Sequence, residues 1–230
     1  MTWSTALKQA LHGQSPECVL LDLDGTLIDS VPDLASAVDA MLLELGRPAA
    51  GVEHVSHWIG NGADWLIRRA LSDGNEAVAA TLAADRVAQA RPLFDRAYLS
   101  ALHHATGAYP GADEFLRACP CPMVLITNKP RLFTEPLLQS LGWSSYFALV
   151  LCADDLPEKK PSPMPLLHAC AQLALKPEQA VMIGDSRNDI LAAHAAGMAS
   201  VAVSYGYNHG EDIALSQPTL LVSSLLELME

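Results

Sequence analysis

The sequence has few positive charges, few aromatic residues and no long hydrophobic run. Lysine and arginine together number 14, against 26 aspartate and glutamate residues, so the net charge is −12. This balance argues against nucleic acid or an anionic membrane as a partner, because both require a basic protein surface. No apolar stretch reaches the roughly 18 residues that a membrane-spanning helix needs. Half of the 230 residues are nevertheless hydrophobic, enough for one large domain or for a core with a modest second module.

Cysteine is also scarce, and its five positions match no zinc-binding spacing. Cys119 and Cys121 are closely spaced, but no CxxC partner or histidine cluster follows them, so we expect neither a metal nor a redox role for this pair. The N-terminus has no basic segment followed by a long apolar run. We therefore expect no signal peptide and a cytoplasmic protein.

Short apolar segments alternate with helical segments in much of the chain. Buried strands are predicted at 17–23, 123–126, 148–151, 180–183 and 200–203. Helices are predicted at 4–12, 112–118, 131–140, 163–174 and 190–196. This alternation is typical of an α/β protein with a doubly wound parallel sheet.

Residues 31–103 lack any strand pattern and are predicted to be entirely helical. The first helix has Ser30 as its candidate N-cap and Gly46 as its stop, with apolar residues at helical spacing between them. Further helices are expected near 63–71, 76–90 and 92–103. We expect two domains: an α/β core of residues 1–29 and 104–230, and a helical domain of residues 30–103 inserted after the first strand.

Polar residues follow the carboxyl ends of three predicted strands. Asp22 and Asp24 follow the first, Thr127 and Asn128 the second, and Asp185 the fourth. Open α/β sheets bind ligands at these ends, near the point where the strand order reverses. We therefore expect these side chains to meet.

Asp22 and Asp24 lie two residues apart, so they should point to the same side of the chain. Two like charges held close together need a cation or a shared proton, and this pair alone predicts a metal ion, an acid/base pair or both. A carboxylate can also attack phosphorus. Asp22 is therefore the candidate nucleophile, and Asp24 the candidate general acid and base.

Asp185 and Asp189 would bring further carboxylates to the same edge. Oxygen ligands from Asp22, the Asp24 backbone carbonyl and Asp185 suit Mg²⁺, which binds one or two carboxylates and keeps several waters. Asp189 is predicted to lie behind them and to orient either a water of the metal or Lys160.

Candidate phosphate-binding groups come from two loops. Thr127 offers a hydroxyl, and Asn128 lies beside backbone N–H groups that can hold phosphate oxygens. Lys160 precedes a proline that restricts the local backbone, and its ammonium group is an effective point charge for phosphate.

Together these motifs resemble the haloacid dehalogenase superfamily of phosphotransferases. The four motifs occur in order as DLDGT at 22–26, ITN at 126–128, KP at 160–161 and GDSRND at 184–189. The resemblance implies a Rossmann-like core, a small all-helical cap of the C1 type, a Mg²⁺ cofactor and hydrolysis of a phosphomonoester through an aspartyl phosphate.

Carried onto this sequence, the family pattern implies a role for each motif residue. It makes Asp22 the nucleophile and Asp24 the acid and base, with Lys160 also catalytic. The implied phosphate-binding groups are Thr127, Asn128 and Lys160. The implied Mg²⁺ ligands are Asp22, Asp24 and Asp185.

Three further stretches, at 59–63, 109–111 and 205–211, resemble family members that hydrolyse 2-phosphoglycolate to glycolate and phosphate. Three alternatives stay open at this point. The first is a phosphatase for sugar or amino-sugar phosphates, the second is a phosphomutase of the same superfamily, and the third is a non-catalytic sensor of a phosphometabolite.

The helical domain holds the candidate substrate-specificity residues. Gly60, Asn61 and Gly62 offer unhindered backbone N–H groups before a helix, and these groups or Arg68 are expected to bind the substrate's carboxylate. The expected partner is thus a small anionic phosphate ester, bound by a monomer or a homodimer.

Overall fold

A computed structural model describes residues 2–230, which form two compact units. The core unit comprises the chain up to Asp29 and again from Ala108 onward, and the helical unit comprises residues 30–107. The chain returns to the core unit at residue 108, slightly beyond the predicted return at residue 104. That the two units are separate domains, with the helical one acting as a cap, stays a prediction.

The helices and strands follow one another in an α/β order. Along the chain they are α1 (Thr5–Ala10), β1 (Cys18–Leu21), β2 (Ile28–Asp29), α2 (Val31–Glu44), α3 (Gly51–Trp58), α4 (Ala63–Leu71), α5 (Glu76–Thr81), α6 (Ala84–Ala101), β3 (Gly107–Ala108), α7 (Ala112–Ala118), β4 (Met123–Ile126), α8 (Arg131–Ser140), β5 (Phe147–Leu151), α9 (Met164–Gln172), β6 (Ala180–Gly184), α10 (Arg187–Ala196), β7 (Ala199–Val203) and β8 (Leu220–Val222). Within the described residues, no helix is both long and apolar enough to cross a membrane.

Six strands form one parallel sheet in the order β5-β4-β1-β6-β7-β8. Leu21 of β1 lies opposite Leu125 of β4 on one side and opposite Ile183 of β6 on the other. The chain builds one side of the sheet through β4 and β5, and then crosses to β6, so the strand order reverses beside β1. The carboxyl ends of β1, β4 and β6 therefore lie side by side at the position where α/β sheets bind ligands.

The strands at the centre of the sheet are apolar because they are buried along their whole length. Every residue of β1, β4 and β6 is buried. Leu20, Val124 and Met182 from these strands share one hydrophobic cluster with Leu166 of α9 and Ala193 of α10. This burial gives the near-continuous apolar runs that are typical of a parallel sheet.

The predicted doubly wound parallel sheet is confirmed, with one strand more than the sequence indicated. The unpredicted strand of this sheet is β8, three residues long and partly exposed at the edge. The two-residue strands β2 and β3, which lie outside this sheet, were not predicted either. So short a segment carries too little periodicity to distinguish it from a loop.

The helical unit departs from the predicted helix boundaries at two points. The predicted break near residue 91 is wrong, because α6 continues through Pro92 and the break lies at the extended residues Leu82 and Ala83. Helix α3 lies inside the predicted helical block, but no individual helix was predicted at its position. Proline is unfavourable inside a helix, but α6 packs against α2 and buries Phe94, so tertiary packing overrides the local preference.

Asp33, in the first turn of α2, connects the two ends of the helical unit. Its Oδ1 accepts a hydrogen bond from the N–H of Ala105 and its Oδ2 one from the N–H of Thr106, each at 2.9 Å. The Asp33 side chain is buried, whereas Ala105 is exposed and Thr106 is half-buried, so the two bonds are partly shielded from water. A carboxylate that accepts from two backbone donors is a strong local constraint.

Replacing Asp33 should therefore destabilise the helical unit. We expect Asp33→Ala to lower the free energy of unfolding by about 2–4 kcal/mol. Hydrogen bonds to charged groups contribute roughly 1.5–3 kcal/mol each, and the loss is smaller than the sum of two because water can reach the exposed Ala105 and the half-buried Thr106. Asp33→Asn should cost less, since its amide oxygen remains an acceptor. Urea denaturation followed by circular dichroism measures the loss. Asp85→Ala, at an exposed position in the first turn of α6, is the control, and an equal loss in both variants would contradict the assignment.

Candidate active site

The loop after β1 is held in place by its neighbours at the carboxyl edge of the sheet. Asp22 donates its backbone N–H to Ile183 O at 3.0 Å, which extends the pairing between β1 and β6 by one residue. The backbone then turns at Gly25, whose φ of +91° favours glycine. The N–H groups of Leu27 and Ile28 close the turn on the carbonyl of Leu23. Asp22 is thus fixed at the end of its strand.

Lys160 is buried, and its ammonium group has three acceptors. Nζ lies 2.7 Å from Asp22 Oδ1, 2.6 Å from Asp189 Oδ1 and 2.6 Å from Ile126 O. Burial by itself lowers the pKa of Lys160, but the charges of Asp189 and Asp22 outweigh that effect and raise the pKa. Lys160 therefore carries a positive charge that connects the end of β1, the end of β4 and the first turn of α10.

Asp189 connects this lysine to the start of α10. Its Oδ2 accepts hydrogen bonds from the Ser186 backbone N–H at 3.1 Å and from the Ser186 hydroxyl at 2.7 Å, while Oδ1 accepts from Lys160. One carboxylate thus caps the helix and orients the ammonium group.

Three buried carboxylates converge beside Lys160. Oxygen atoms of Asp22, Asp185 and Asp189 all lie within 4.8 Å of one another. Asp185 is held at both oxygens, because Oδ1 accepts from the Thr26 hydroxyl at 3.0 Å and Oδ2 accepts from the Tyr207 N–H at 2.8 Å. Sequence reasoning expected Asp22 and Asp185 to meet, and the structure brings them together.

Burial and mutual repulsion disfavour the ionised carboxylates. Burial raises the pKa of Asp185 to about 7, and the charge of Asp189 adds to the shift. Burial also raises the pKa of Asp22 well above its usual value; the ammonium group of Lys160 opposes this shift, and the charges of Asp189 and Asp185 add to it. A cation bound among the three groups would reverse the balance, because it stabilises their charged forms.

The residues at this cluster fit a hard divalent cation. Three carboxylates and one ammonium group leave a charge of −2 when all are ionised, and oxygen donors are the ligands that such ions prefer. Two glycines leave room for Asp185. A Cβ on Gly25 would lie 2.3 Å from Asp185 Oδ2, and a Cβ on Gly206 would lie 2.1 Å from Asp185 Cβ. The close approach of Asp185 thus depends on two glycines.

Asp24 forms an ion pair with Lys129, whereas Asp22 forms one with Lys160. Lys129 Nζ lies 2.7 Å from Asp24 Oδ1, and the two side chains are 4% and 14% exposed. Lys129 is a residue that the sequence reasoning missed. Its position directly after Thr127 and Asn128, at the carboxyl end of β4, was the signal that could have identified it.

Thr127 and Asn128 lie at the same edge and hold the lysine-bearing loops. The Thr127 N–H donates to Leu151 O at 2.9 Å, and the Thr127 hydroxyl oxygen accepts from the Lys129 N–H at 3.1 Å. Asn128 Nδ2 donates to the carbonyl of Lys160 at 2.9 Å. The structure therefore places both residues beside the carboxylate cluster's lysine, and their phosphate-binding roles stay predictions.

The predicted carboxylate-binding residues belong to the helical unit. Both glycines of residues 60–62 have positive φ, at +118° and +82°. Arg68 on α4 donates from one terminal nitrogen to Ala79 O at 3.2 Å and to Leu82 O at 2.7 Å. These carbonyls lie at the C-terminal end of α5, where backbone carbonyls have no hydrogen-bond donor within the helix. Arg68 supplies that donor and so caps the end of α5. Substrate binding by Arg68 and by residues 60–62 stays a prediction.

Aromatic residues brace the loop after β1. The Tyr205 hydroxyl donates to Thr26 O and the Tyr207 hydroxyl to Asp29 Oδ1, each at 2.8 Å. The Tyr109 ring packs against Tyr205, with 4.6 Å between the ring centroids. The stretches at 109–111 and 205–211 therefore support the aspartate-bearing loop, a role that sequence reasoning had not assigned to them.

Comparison with known proteins agrees with this geometry. The family model for haloacid dehalogenase-like hydrolases matches residues 16–197. A phosphoglycolate phosphatase of Pseudomonas putida is 46% identical over 229 residues, which cover 98% of this chain and 83% of that protein. A phosphoglycolate phosphatase of Nitrosococcus oceani is 44% identical over 218 residues, covering 94% of this chain and 96% of that protein.

The fold of this chain also matches that of a solved structure. A predicted phosphoglycolate phosphatase from Haemophilus somnus 129PT superposes with a TM-score of 0.84 at 36% sequence identity, covering 91% of this chain and 94% of that chain. With a family model that matches most of the sequence and relatives of this similarity, the chain belongs to the haloacid dehalogenase-like hydrolases.

Proposed function

We propose that this protein is a Mg²⁺-dependent phosphomonoesterase that hydrolyses 2-phosphoglycolate to glycolate and phosphate. The observation that carries the chemistry is the buried ammonium group of Lys160 shared between Asp22 and Asp189, beside a third carboxylate. The names of the relatives that are 44–46% identical to this chain support the choice of substrate.

Asp22 is the nucleophile in this proposal because a substrate can reach it. Of the four carboxylates described at this edge, Asp22 and Asp24 have side chains that are 12% and 14% exposed, whereas Asp185 and Asp189 are 2% and 0% exposed. Lys160 holds Asp22 Oδ1 and so orients the carboxylate. An Asp22 oxygen attacks phosphorus, the bond from phosphorus to the glycolate oxygen breaks, and an aspartyl phosphate forms.

Asp24 moves the protons in both halves of the reaction. It gives a proton to the departing glycolate oxygen in the first half, and takes one from the water that attacks phosphorus in the second. The second step breaks the bond between Asp22 and phosphorus, which releases phosphate and restores the carboxylate. Asp24 suits this task because its partner is Lys129, so its side chain lies apart from the three-carboxylate cluster.

Charge stabilisation comes from the metal and from the loops around it. Asp22, the Asp24 carbonyl and Asp185 would hold Mg²⁺, which when bound supplies the positive charge that offsets the carboxylates and polarises a phosphoryl oxygen. Thr127 and Asn128 bind phosphate oxygens, and Lys160 adds its charge beside the transferring group.

The helical unit has the role of a cap in this proposal. A cap that closes over the bound substrate excludes water, which strengthens the electrostatic interactions within the site. A cytoplasmic location and a monomeric or homodimeric state stay predictions from the sequence.

The substrate assignment is tested by a comparison of esters. We expect kcat/KM for 2-phosphoglycolate to exceed the values for glucose 6-phosphate and glucosamine 6-phosphate by more than about tenfold, the factor that one well-placed charged contact supplies. Phosphate should be released without any sugar-phosphate acceptor. A faster sugar phosphate would refute the substrate, transfer to an acceptor would indicate a phosphomutase, and no Mg²⁺-dependent hydrolysis of any ester would indicate a sensor.

Asp22→Asn should abolish turnover and leave the fold intact. We expect phosphate release to fall by at least about 10³-fold, because an amide oxygen is a poor nucleophile. Thermal stability should be equal or higher, since the amide still accepts from Lys160 and one of the like charges is gone. Phosphate release and thermal melting check both parts. Asp73→Asn, at an exposed position in the helical unit, is the control, and wild-type turnover in Asp22→Asn would refute the assignment.

Magnesium should stabilise the protein most at the higher pH values. Without metal, the folded protein binds more protons than the unfolded chain, because the pKa values of Asp22 and Asp185 are raised, that of Asp185 to about 7. Stability of the metal-free protein should therefore fall as the pH rises from about 4 to about 7.

The ionised cluster then binds Mg²⁺ more tightly, so the increase in Tm caused by millimolar Mg²⁺ should grow over the same range. Thermal melts with Mg²⁺ or with EDTA measure this increase. Asp185→Asn should reduce it, and an unchanged increase in that variant would contradict the metal site.

A further inference from the structure

We infer, on the basis of the proposed function, that Lys129 binds the carboxylate of 2-phosphoglycolate and so determines the preference for that substrate. Lys129 follows β4 and lies outside the family motifs quoted above. Its side chain is one of two buried lysines described at the carboxyl edge of the sheet.

The position of Lys129 is fixed on both sides of its backbone. Its N–H donates to the Thr127 hydroxyl oxygen at 3.1 Å, and its carbonyl accepts from the Ala153 N–H at 3.1 Å and from the Thr134 hydroxyl at 3.4 Å. The side chain is 4% exposed, and Nζ lies 2.7 Å from Asp24 Oδ1. A lysine held this firmly loses little entropy when it binds an anion, so it is preorganised for recognition.

The chemistry of the substrate brings its carboxylate to this lysine. Asp24 must contact the ester oxygen to which it gives a proton, within hydrogen-bond distance. In 2-phosphoglycolate the carboxylate carbon is two bonds from that oxygen. A cation in contact with Asp24 is therefore next to the carboxylate of the leaving group, and an ammonium group has three donors with which to bind.

The other candidate cations have different tasks. Lys160 has an acceptor for each of its three N–H donors, in Asp22, Asp189 and Ile126, and only 2% of it is exposed. Arg68 donates to the carbonyls at the end of α5 in the helical unit. Because Lys129 contacts Asp24, the proposed acid for the leaving group, it is the better-placed cation for an anionic leaving group.

A contact between Lys129 and the substrate carboxylate would favour carboxylate-bearing substrates, because a carboxylate transferred from water into a protein site needs a charged partner. A substrate with a carboxylate gains a charge-assisted hydrogen bond from Lys129. A substrate without one leaves Lys129 paired with Asp24 as in the free protein, so it neither gains nor loses by this residue. Removal of Lys129 should therefore penalise the two kinds of substrate unequally.

The test compares 2-phosphoglycolate with ethyl phosphate, which has a methyl group in place of the carboxylate. We expect Lys129→Met to lower kcat/KM for 2-phosphoglycolate by about tenfold to a hundredfold more than kcat/KM for ethyl phosphate, the range for one hydrogen bond between charged groups. Lys129→Arg, which keeps the charge, should retain most of the preference. Lys176→Met removes an exposed lysine far along the sequence and should leave both values unchanged.

Equal losses for the two substrates in Lys129→Met would overturn the inference and leave Lys129 as a residue that orients Asp24. Should that variant not fold, Lys129→Gln gives the same comparison, because it keeps a donor for Asp24 without the charge. A wild-type protein that hydrolyses ethyl phosphate as well as 2-phosphoglycolate refutes the proposed substrate, and this inference with it. A wild-type preference for 2-phosphoglycolate that persists undiminished in the uncharged variants, Lys129→Met and Lys129→Gln, refutes this inference alone.

Discussion

The ammonium group of Lys160 is the contact on which the arrangement of the carboxyl edge of the sheet depends. It binds Asp22 after β1, the carbonyl of Ile126 at the end of β4 and Asp189 after β6. A buried charge is costly without partners, and removal of one partner from such a group leaves the others uncompensated. These mutual requirements fix the end of β1, the end of β4 and the start of α10, which are distant in the sequence, in one arrangement.

The same contact explains why the cluster suits a cation. Lys160 balances only one of the three carboxylates around it, so a charge of −2 remains inside the protein when all three are ionised. Burial is the main cause of the raised pKa values of Asp22 and Asp185, and the charges of the neighbouring carboxylates add to it. The sheet is otherwise apolar, yet its carboxyl edge holds a buried group of like charges. Such an unfavourable cluster of charges is typical of a functional site.

Asp22 and Asp24 are separated by one residue, but their environments differ because each contacts a different lysine. Asp22 contacts Lys160 and lies within the carboxylate cluster, whereas Asp24 contacts Lys129. A difference in environment of this kind supports the division of nucleophilic and acid/base tasks that we propose for the pair. The backbone turn at Gly25 and the tyrosines at 205 and 207 hold the loop that carries both aspartates.

Sequence patterns predicted the parallel sheet and its polar edge because both follow from short-range rules. Buried strands such as β1 and β4 are apolar throughout, and the residues that follow parallel strands must meet. Local patterns failed where tertiary packing decides: α6 continues through Pro92, and β8 is too short to show periodicity.

Lys129 was missed because a lysine after a strand resembles a solvated loop residue, and its partner Asp24 is 105 positions away in the sequence. The bonds of Arg68 to the end of α5 were hidden for a similar reason, since they depend on how helices of the helical unit pack.

In the proposed reaction Asp22, held by Lys160, attacks phosphorus. The most direct measurement is chemical trapping during turnover of 2-phosphoglycolate, by acid quench, borohydride reduction and peptide mass spectrometry. An aspartyl phosphate is reduced to homoserine, whereas a free aspartate is not, so homoserine at position 22 is the expected result. Homoserine at position 24 or 185, or hydrolysis without any trapped residue, would contradict the account.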